Sequence, residues 1–195
     1  MRNLWLFLLP TAAAHQPSLV QQELDVANPY ISYAVNGTFA SGQEVYTVRL
    51  AYERAFALPF ELLVEKRSGN EDFRPMYAVV GPGLPQATEE ERSLLPRELP
   101  DGVGLYLDLN DDEDRLVVFE SVMRRVYWST EAVALALPPG AFEVWVWSPD
   151  GATGDFVLGF GVETGFAPPP SFGFGAAVRG GVTRQLWRDF ARPPR

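Results

Sequence analysis

The sequence predicts an all-β fold, a sandwich or barrel of about nine or ten short strands. Three observations carry that expectation. Apolar residues alternate with polar ones, or run continuously, in short stretches of roughly four to eight residues. Turn-forming residues separate those stretches, with 17 Gly and 17 Pro in the chain. No convincing long stretch keeps the 3.6-residue apolar spacing of a helix. At 195 residues the chain suits one domain with a sizeable core. No repeat of fixed period is visible.

Composition excludes several chemistries. The net charge of −9 and the absence of a nucleic-acid motif argue against a nucleic-acid partner. There is no Cys, so no disulfide, thiolate nucleophile or Cys-ligated metal is available. The single His is His15, in the N-terminal region. No G-x-S-x-G or H-E-x-x-H pattern occurs.

Residues 1–14 read as a secretory signal peptide. Arg2 supplies the positive end, residues 4–9 the apolar centre, and Ala12-x-Ala14 the small-residue cleavage site. The apolar run is far shorter than the ~20 residues that cross a bilayer. The chain is therefore expected to be exported, to an extracellular, periplasmic or envelope-associated place. Cleavage would leave His15 first; a copper brace built on it needs a second His, so a solvated terminus is the expectation.

Residues 15–29, with Pro17 and Pro29, read as an extended leader, and residues 30–163 as the β-domain. Asn36-Gly37 is a hairpin-turn pair by type, and Asn36-Gly37-Thr38 a glycosylation sequon. Residues 44–50 place Tyr46, Val48 and Leu50 on one face, and residues 60–65 place Phe60, Leu62 and Val64 together. Residues 66–74 are charged and loop-like. Residues 76–80 are continuously apolar, as in a central strand. Residues 85–101, with Pro85, Pro96 and Pro100, predict an exposed loop with at most one helical turn near Thr88. Strand patterns resume at 103–107, 116–120, 125–128 and 132–137. Residues 140–161 then form a closing hairpin about Ser148-Pro149-Asp150-Gly151.

After residue 163 the composition changes to a Pro/Gly/aromatic linker and a basic tail, residues 164–195. Arg179, Arg184, Trp187, Arg188 and Phe190 give that tail the character of a membrane-surface or docking segment. The other reading is a tail packed on the domain or frayed.

Two further candidate sites stand out. Trp145 and Trp147 share a strand face with Glu143, opposite Phe142, Val144 and Val146. If the valine face is core, the tryptophans stand outward and can stack on sugars or a partner, unless the tail covers them or this face also is buried. Asp108, Asn110, Asp112 and Asp114 lie two apart, like the start of a calcium loop. Glu113 stands where such a loop has Gly, and Phe119 where it has Glu, so the alternative is a solvated hairpin tip.

The pattern Gly140-Ala-Phe142-Glu-Val144-Trp-Val146, followed by Pro149-Asp150-Gly151 and Gly154-Asp155-Phe156-x-Leu158, resembles the end of bacterial pre-peptidase C-terminal domains. These close with a Gly-aromatic-x-Val-x-Val strand, an Asp/Gly-rich turn and a Gly-Asp-aromatic-x-Leu strand. Residues 42–48 are similar to the strand that opens such domains, with Glu44 where Asp is often found. The resemblance covers residues 30–163. It implies a jelly-roll-like antiparallel β-sandwich of about 8–10 strands with a Pro/Gly-rich C-terminal extension. It also implies a module of exported proteins without catalytic activity of its own.

The function expected is a non-catalytic exported β-sandwich that binds a protein or an envelope or membrane-bound partner. The alternative is a carbohydrate- or calcium-binding module using the Trp145/Trp147 face and the acidic 108–114 loop. A hydrolase working through two carboxylates is a third reading, with no pair singled out. No cofactor is expected apart from calcium under the alternative.

Overall fold

The computed structural model describes residues 16–26, 31–111, 115–120 and 124–161. The strands, in chain order, are β1 (Gln16–Leu19), β2 (Glu23–Asp25), β3 (Tyr33–Phe39), β4 (Val45–Tyr52), β5 (Phe56–Glu65) and β6 (Met76–Gly81). A helix α1 (Glu89–Leu94) follows, then β7 (Gly104–Asp108), β8 (Leu116–Glu120), β9 (Arg125–Ser129), β10 (Val133–Leu137), β11 (Gly140–Trp147) and β12 (Gly154–Phe160). They form two facing sheets. The larger has the order β1-β3-β12-β5-β9-β8, with β10 also paired to β5; the smaller has the order β2-β4-β11-β6-β7.

The fold class expected from the sequence, an all-β sandwich, is what the chain forms. The segment read as a leader joins both sheets. β1 runs parallel to β3 and β2 parallel to β4, so the sheets are mixed rather than wholly antiparallel. Residues 16–25 thus add an edge strand to each layer, and the strand count rises to twelve among the described residues.

The face assignments follow the alternation. Tyr46, Val48 and Leu50 from β4, Phe60, Leu62 and Val64 from β5, and Phe142, Val144 and Val146 from β11 meet in one core between the sheets. A fully buried side chain of this kind contributes about 1.5–3 kcal/mol. Aromatic rings lock one end: Phe39 lies 5.1 Å from Tyr46 edge-on and 5.2 Å from Phe156. Such pairs add about 0.5–1.5 kcal/mol beyond burial.

Asn36-Gly37 is not a turn. It lies inside β3, between β1 and β12. The Asn36 amide donates to the carbonyls of Ala34 (3.0 Å) and Ser18 (3.4 Å), which occupies the would-be glycosylation site within the sheet. Gly37 is needed because the Phe156 ring lies over it; any Cβ there would overlap that ring. Packing across the sandwich overrides the turn propensity of the pair.

The closing turn forms where expected, but it joins the two sheets and is not a hairpin. Gly151 has φ 73° and donates to the Ser148 carbonyl at 3.3 Å. Asp150 accepts from the Ala152 N–H at 3.1 Å and the Ser148 hydroxyl at 3.0 Å. Its two strands do not pair with each other. β11 lies between β4 and β6 in one sheet, and β12 between β3 and β5 in the other.

Residues 85–103 pack across the outer face of the smaller sheet. Thr88 caps α1: its hydroxyl accepts from the Glu91 N–H at 3.1 Å, and Glu91 accepts from the Thr88 N–H at 2.7 Å. Glu89, Glu90 and Glu91 fill the first turn, where carboxylates favour the helix dipole. The helix buries none of its residues. The chain after it does, through Leu99 and half-buried Leu95 and Val103.

Candidate functional site

The Trp145/Trp147 face is covered. Both side chains are buried, at 1% and 4% exposure, in a second core with Ala78, Val80, Leu99 and Leu105. Of the two readings of this face, the buried one holds, and the outward aromatic pair open to stacking does not. The division of the strand into a valine face and a tryptophan face is as read. The cover comes from residues 85–103, whose prolines and acidic residues disguised the buried Leu99. The Trp145 indole donates to Glu143 Oε2 at 2.7 Å, and the Arg97 guanidinium lies 4.2 Å from the centre of the Trp145 ring.

Glu143 therefore serves as a hub rather than a lone surface acid. Arg97 donates to its Oε2 at 2.9 Å and to the Thr47 hydroxyl at 3.0 Å. Arg49 reaches its Oε1 at 3.3 Å and also pairs with Glu23 and Asp25. Glu23's hydrogen bond and charge hold the Arg49 proton more firmly than usual. These pairs are 37–81% exposed at their side chains, so solvent screens them and each adds little to stability. They edge a groove of about 400 Å³ whose lining includes Ala51, Ala141, Pro100 and Val103.

The acidic run divides. Asp112 and Asp114 lie outside the described residues. Asp108 accepts from the Asn110 N–H at 3.0 Å, an Asx turn that closes β7. Asn110 has φ 50° and is buried. Its amide donates to the Pro75 carbonyl at 3.0 Å, and its own carbonyl accepts from Arg74 at 3.1 Å. Asn110 thus pins the loop to the start of β6. Among the described residues, no group of three or more His, Asp or Glu is arranged to hold a metal ion.

Asp108 and Asn110 do enter a cleft that no local pattern foretells. It holds about 300 Å³ and lies where the two sheets part, between β7 with its following loop and the start of β10. Tyr106, Asp108 and Asp111 line one side, and Thr130, Glu131 and Val133 the other. Arg115 lies at the end, stacked 4.2 Å from the centre of the Trp128 ring. It donates to the carbonyls of Phe73 (3.2 Å) and Glu71 (2.5 Å). Burial, then the neighbouring Arg74, loosen its hold on its proton.

A β-bulge shapes the second wall. β5 pairs with β9 as far as Leu63↔Ser129 and resumes with β10 at Phe60↔Val133, leaving one extra residue on the β9–β10 side. Thr130 mends the ladder: its N–H donates to the Leu62 carbonyl at 2.9 Å, and its hydroxyl accepts from the Leu62 N–H at 3.0 Å. Glu61 lies opposite the bulge, buried, with its carboxyl 2.9 Å from the Ser129 hydroxyl. Burial pushes its pKa up to about 7. Sequence reasoning passed over Glu61 because a single acid on a strand's outer face is ordinary. The bulge, which depends on long-range pairing, leaves no local signal.

The signal-peptide reading of residues 1–14 lies outside the described residues. So do the tail candidates Arg179, Arg184, Trp187, Arg188 and Phe190.

No protein-family model matches the sequence, and no curated protein does. Among solved structures, the chain is similar to the pre-peptidase C-terminal domain of a collagenase from Bacillus anthracis. Identity is 10%, the match covers 75% of this chain and 95% of that one, and the TM-score is 0.33. It is also similar to a CocE/NonD family hydrolase from Staphylococcus aureus, at 15% identity and a TM-score of 0.25, over 80% of this chain and 35% of that one.

Proposed function

We propose that the chain is a non-catalytic exported β-sandwich module that binds a protein or envelope-bound partner along the flank whose edge strands are β7 in one sheet and β8 and β10 in the other. The observation that supports this reading is the convergence of three edge strands on one flank. β7 ends the smaller sheet, while β8 and β10 share the corresponding edge of the larger one. β8 presents Leu116 and Val117, 36% and 39% exposed. An edge strand carrying exposed aliphatics is a template for another chain unless something covers it.

The test is site-specific photo-crosslinking in the native envelope fraction. A benzophenone side chain replaces Val117 on β8 or, as a control, Glu53 in the exposed β4–β5 turn. A defined adduct from position 117 and none from position 53 is expected. Equal adducts from both positions, or none from 117, would remove the proposal.

A further inference from the structure

We propose that the groove on the outer face of the smaller sheet seats Phe172, from the chain's own segment 164–175, which lies outside the described residues. This goes beyond the partner flank at β7, β8 and β10 and does not depend on it.

The first support is that this outer face is covered at one end only. Ala141, Glu143, Trp145 and Trp147 share the outer face of β11, opposite the core residues Phe142, Val144 and Val146. Residues 85–103 close over Trp145 and Trp147 through Leu99. Arg97 reaches as far as Glu143, and Ala141 beyond it is exposed. Its register partner on β4, Ala51, is exposed as well. Both alanines line the groove of about 400 Å³, together with Val26, Val80, Pro100 and Val103. The apolar surface thus continues past its cover, and two small side chains leave room there for a larger one.

The second support is where the last strand stops. β11 begins, and β12 ends, at the end of the sandwich away from the Ser148–Gly151 turn. Ala141 and Gly161 therefore lie at the same end. The backbone of Gly161 abuts Ser32. Ser32 follows Val26, in the groove lining, by six residues, a span of at most about 22 Å. Phe172 stands eleven residues past Gly161 and reaches about 36–40 Å. The segment can enter the groove with length to spare.

The third support is the chemistry of the segment. It carries Phe166, Phe172 and Phe174 around Pro168-Pro169-Pro170. An aromatic side chain buries about 150–250 Å² and gains most from an apolar seat. The prolines fix φ, so ordering this stretch costs less entropy than ordering a free chain. Phe172 is the best placed of the three. Phe166 reaches at most about 18 Å from Gly161, and Phe174 stands between Gly173 and Gly175, whose ordering costs more. Charge agrees. Glu23, Asp25 and Glu143 outnumber Arg49 and Arg97 beside the groove, and Arg179, Arg184 and Arg188 follow the segment.

The experiment places a photoreactive benzophenone side chain at position 172 of the full chain and maps its adduct by mass spectrometry. An adduct within the same chain is expected, on residues 51, 100–103 or 141. Ala141→Gln sets a polar side chain at an exposed position in the groove and should cut that adduct about tenfold while the melting temperature holds. Ala51→Gln gives the same direction should the first variant fold poorly. An adduct elsewhere on the domain, no adduct, or an unchanged yield in these variants would overturn the inference. An adduct between two chains, seen as a dimer on denaturing electrophoresis, would overturn it as well and assign the groove to a second copy.

Discussion

The Glu61 carboxyl meets the Ser129 hydroxyl at 2.9 Å, and that same hydroxyl lies 2.8 Å from the Thr130 carbonyl. A serine has one proton to give, and two oxygen acceptors compete for it. A protonated Glu61 resolves this by donating to Ser129, which then donates to Thr130. The geometry and the raised pKa agree that burial favours the neutral acid.

Stability should therefore depend on pH through this residue. The folded chain holds the proton up to about 7, against an ordinary value of 4.5. The contribution is fully present below the unfolded value, declines as pH rises through this window, and stays low above it. Glu61→Gln keeps a donor for Ser129 and removes the ionisation. At pH 8.5 the variant should be more stable than the wild type by about 3 kcal/mol. Near pH 4 the two should match. Thermal unfolding at both pH values checks this; a constant difference would contradict it.

Removing the cover over the tryptophans should cost stability and alter their emission. Leu99 is 5% exposed and packs in the Trp145/Trp147 cluster. Leu99→Ala should destabilise by about 2–4 kcal/mol through the cavity it leaves. Intrinsic fluorescence should move to longer wavelength as water reaches the indoles. Adding oligosaccharides to the wild type should leave the spectrum unchanged.

Gly37 tests whether the strand assignment is right. In β3 an added Cβ runs into the Phe156 ring, so Gly37→Ala should destabilise by about 1–3 kcal/mol through overpacking. In a solvent-exposed hairpin turn, the ring clash would not exist. Chemical denaturation combined with Phe156→Leu separates the two cases, because the smaller side chain should recover part of the loss.

Asn110 distinguishes a loop pin from a calcium ligand. Asn110→Asp replaces the amide that donates to Pro75 with a carboxylate facing a carbonyl. The pin reading expects a loss of about 1–3 kcal/mol, with no recovery in millimolar calcium. A ligand would instead gain charge and show a larger calcium-dependent rise in melting temperature. Calorimetry with and without the metal decides.

Local pattern carried much of the fold. Alternation in residues 44–50 and 60–65 assigned the core face of two strands, and Pro149-Asp150-Gly151 located the closing turn. Failures arose where distant contacts decided the outcome. Asn36-Gly37 has the composition of a turn, but Phe156 arrives from the other end of the chain. Trp145 and Trp147 looked outward because their cover is irregular chain, where periodicity gives no signal. The acidic run was visible as charge, yet its cleft exists only because a bulge more than a dozen residues later faces β7. Residues 16–25 looked like a leader because short parallel edge strands need little apolar pattern of their own.

The placement of β11 and β12 has a consequence for the order of events in synthesis. Among the described residues, the last two strands to leave the ribosome are interior strands, one in each layer. Until β11 emerges at residues 140–147, β4 has no link to β6, and until β12 emerges at residues 154–160, β3 has none to β5. Each layer is then two separate fragments with exposed hydrogen-bonding edges. Most of the core aromatics are already made and have nowhere to pack. The nascent chain is thus held short of its native state by topology alone, and completion is a late, concerted insertion of two central strands.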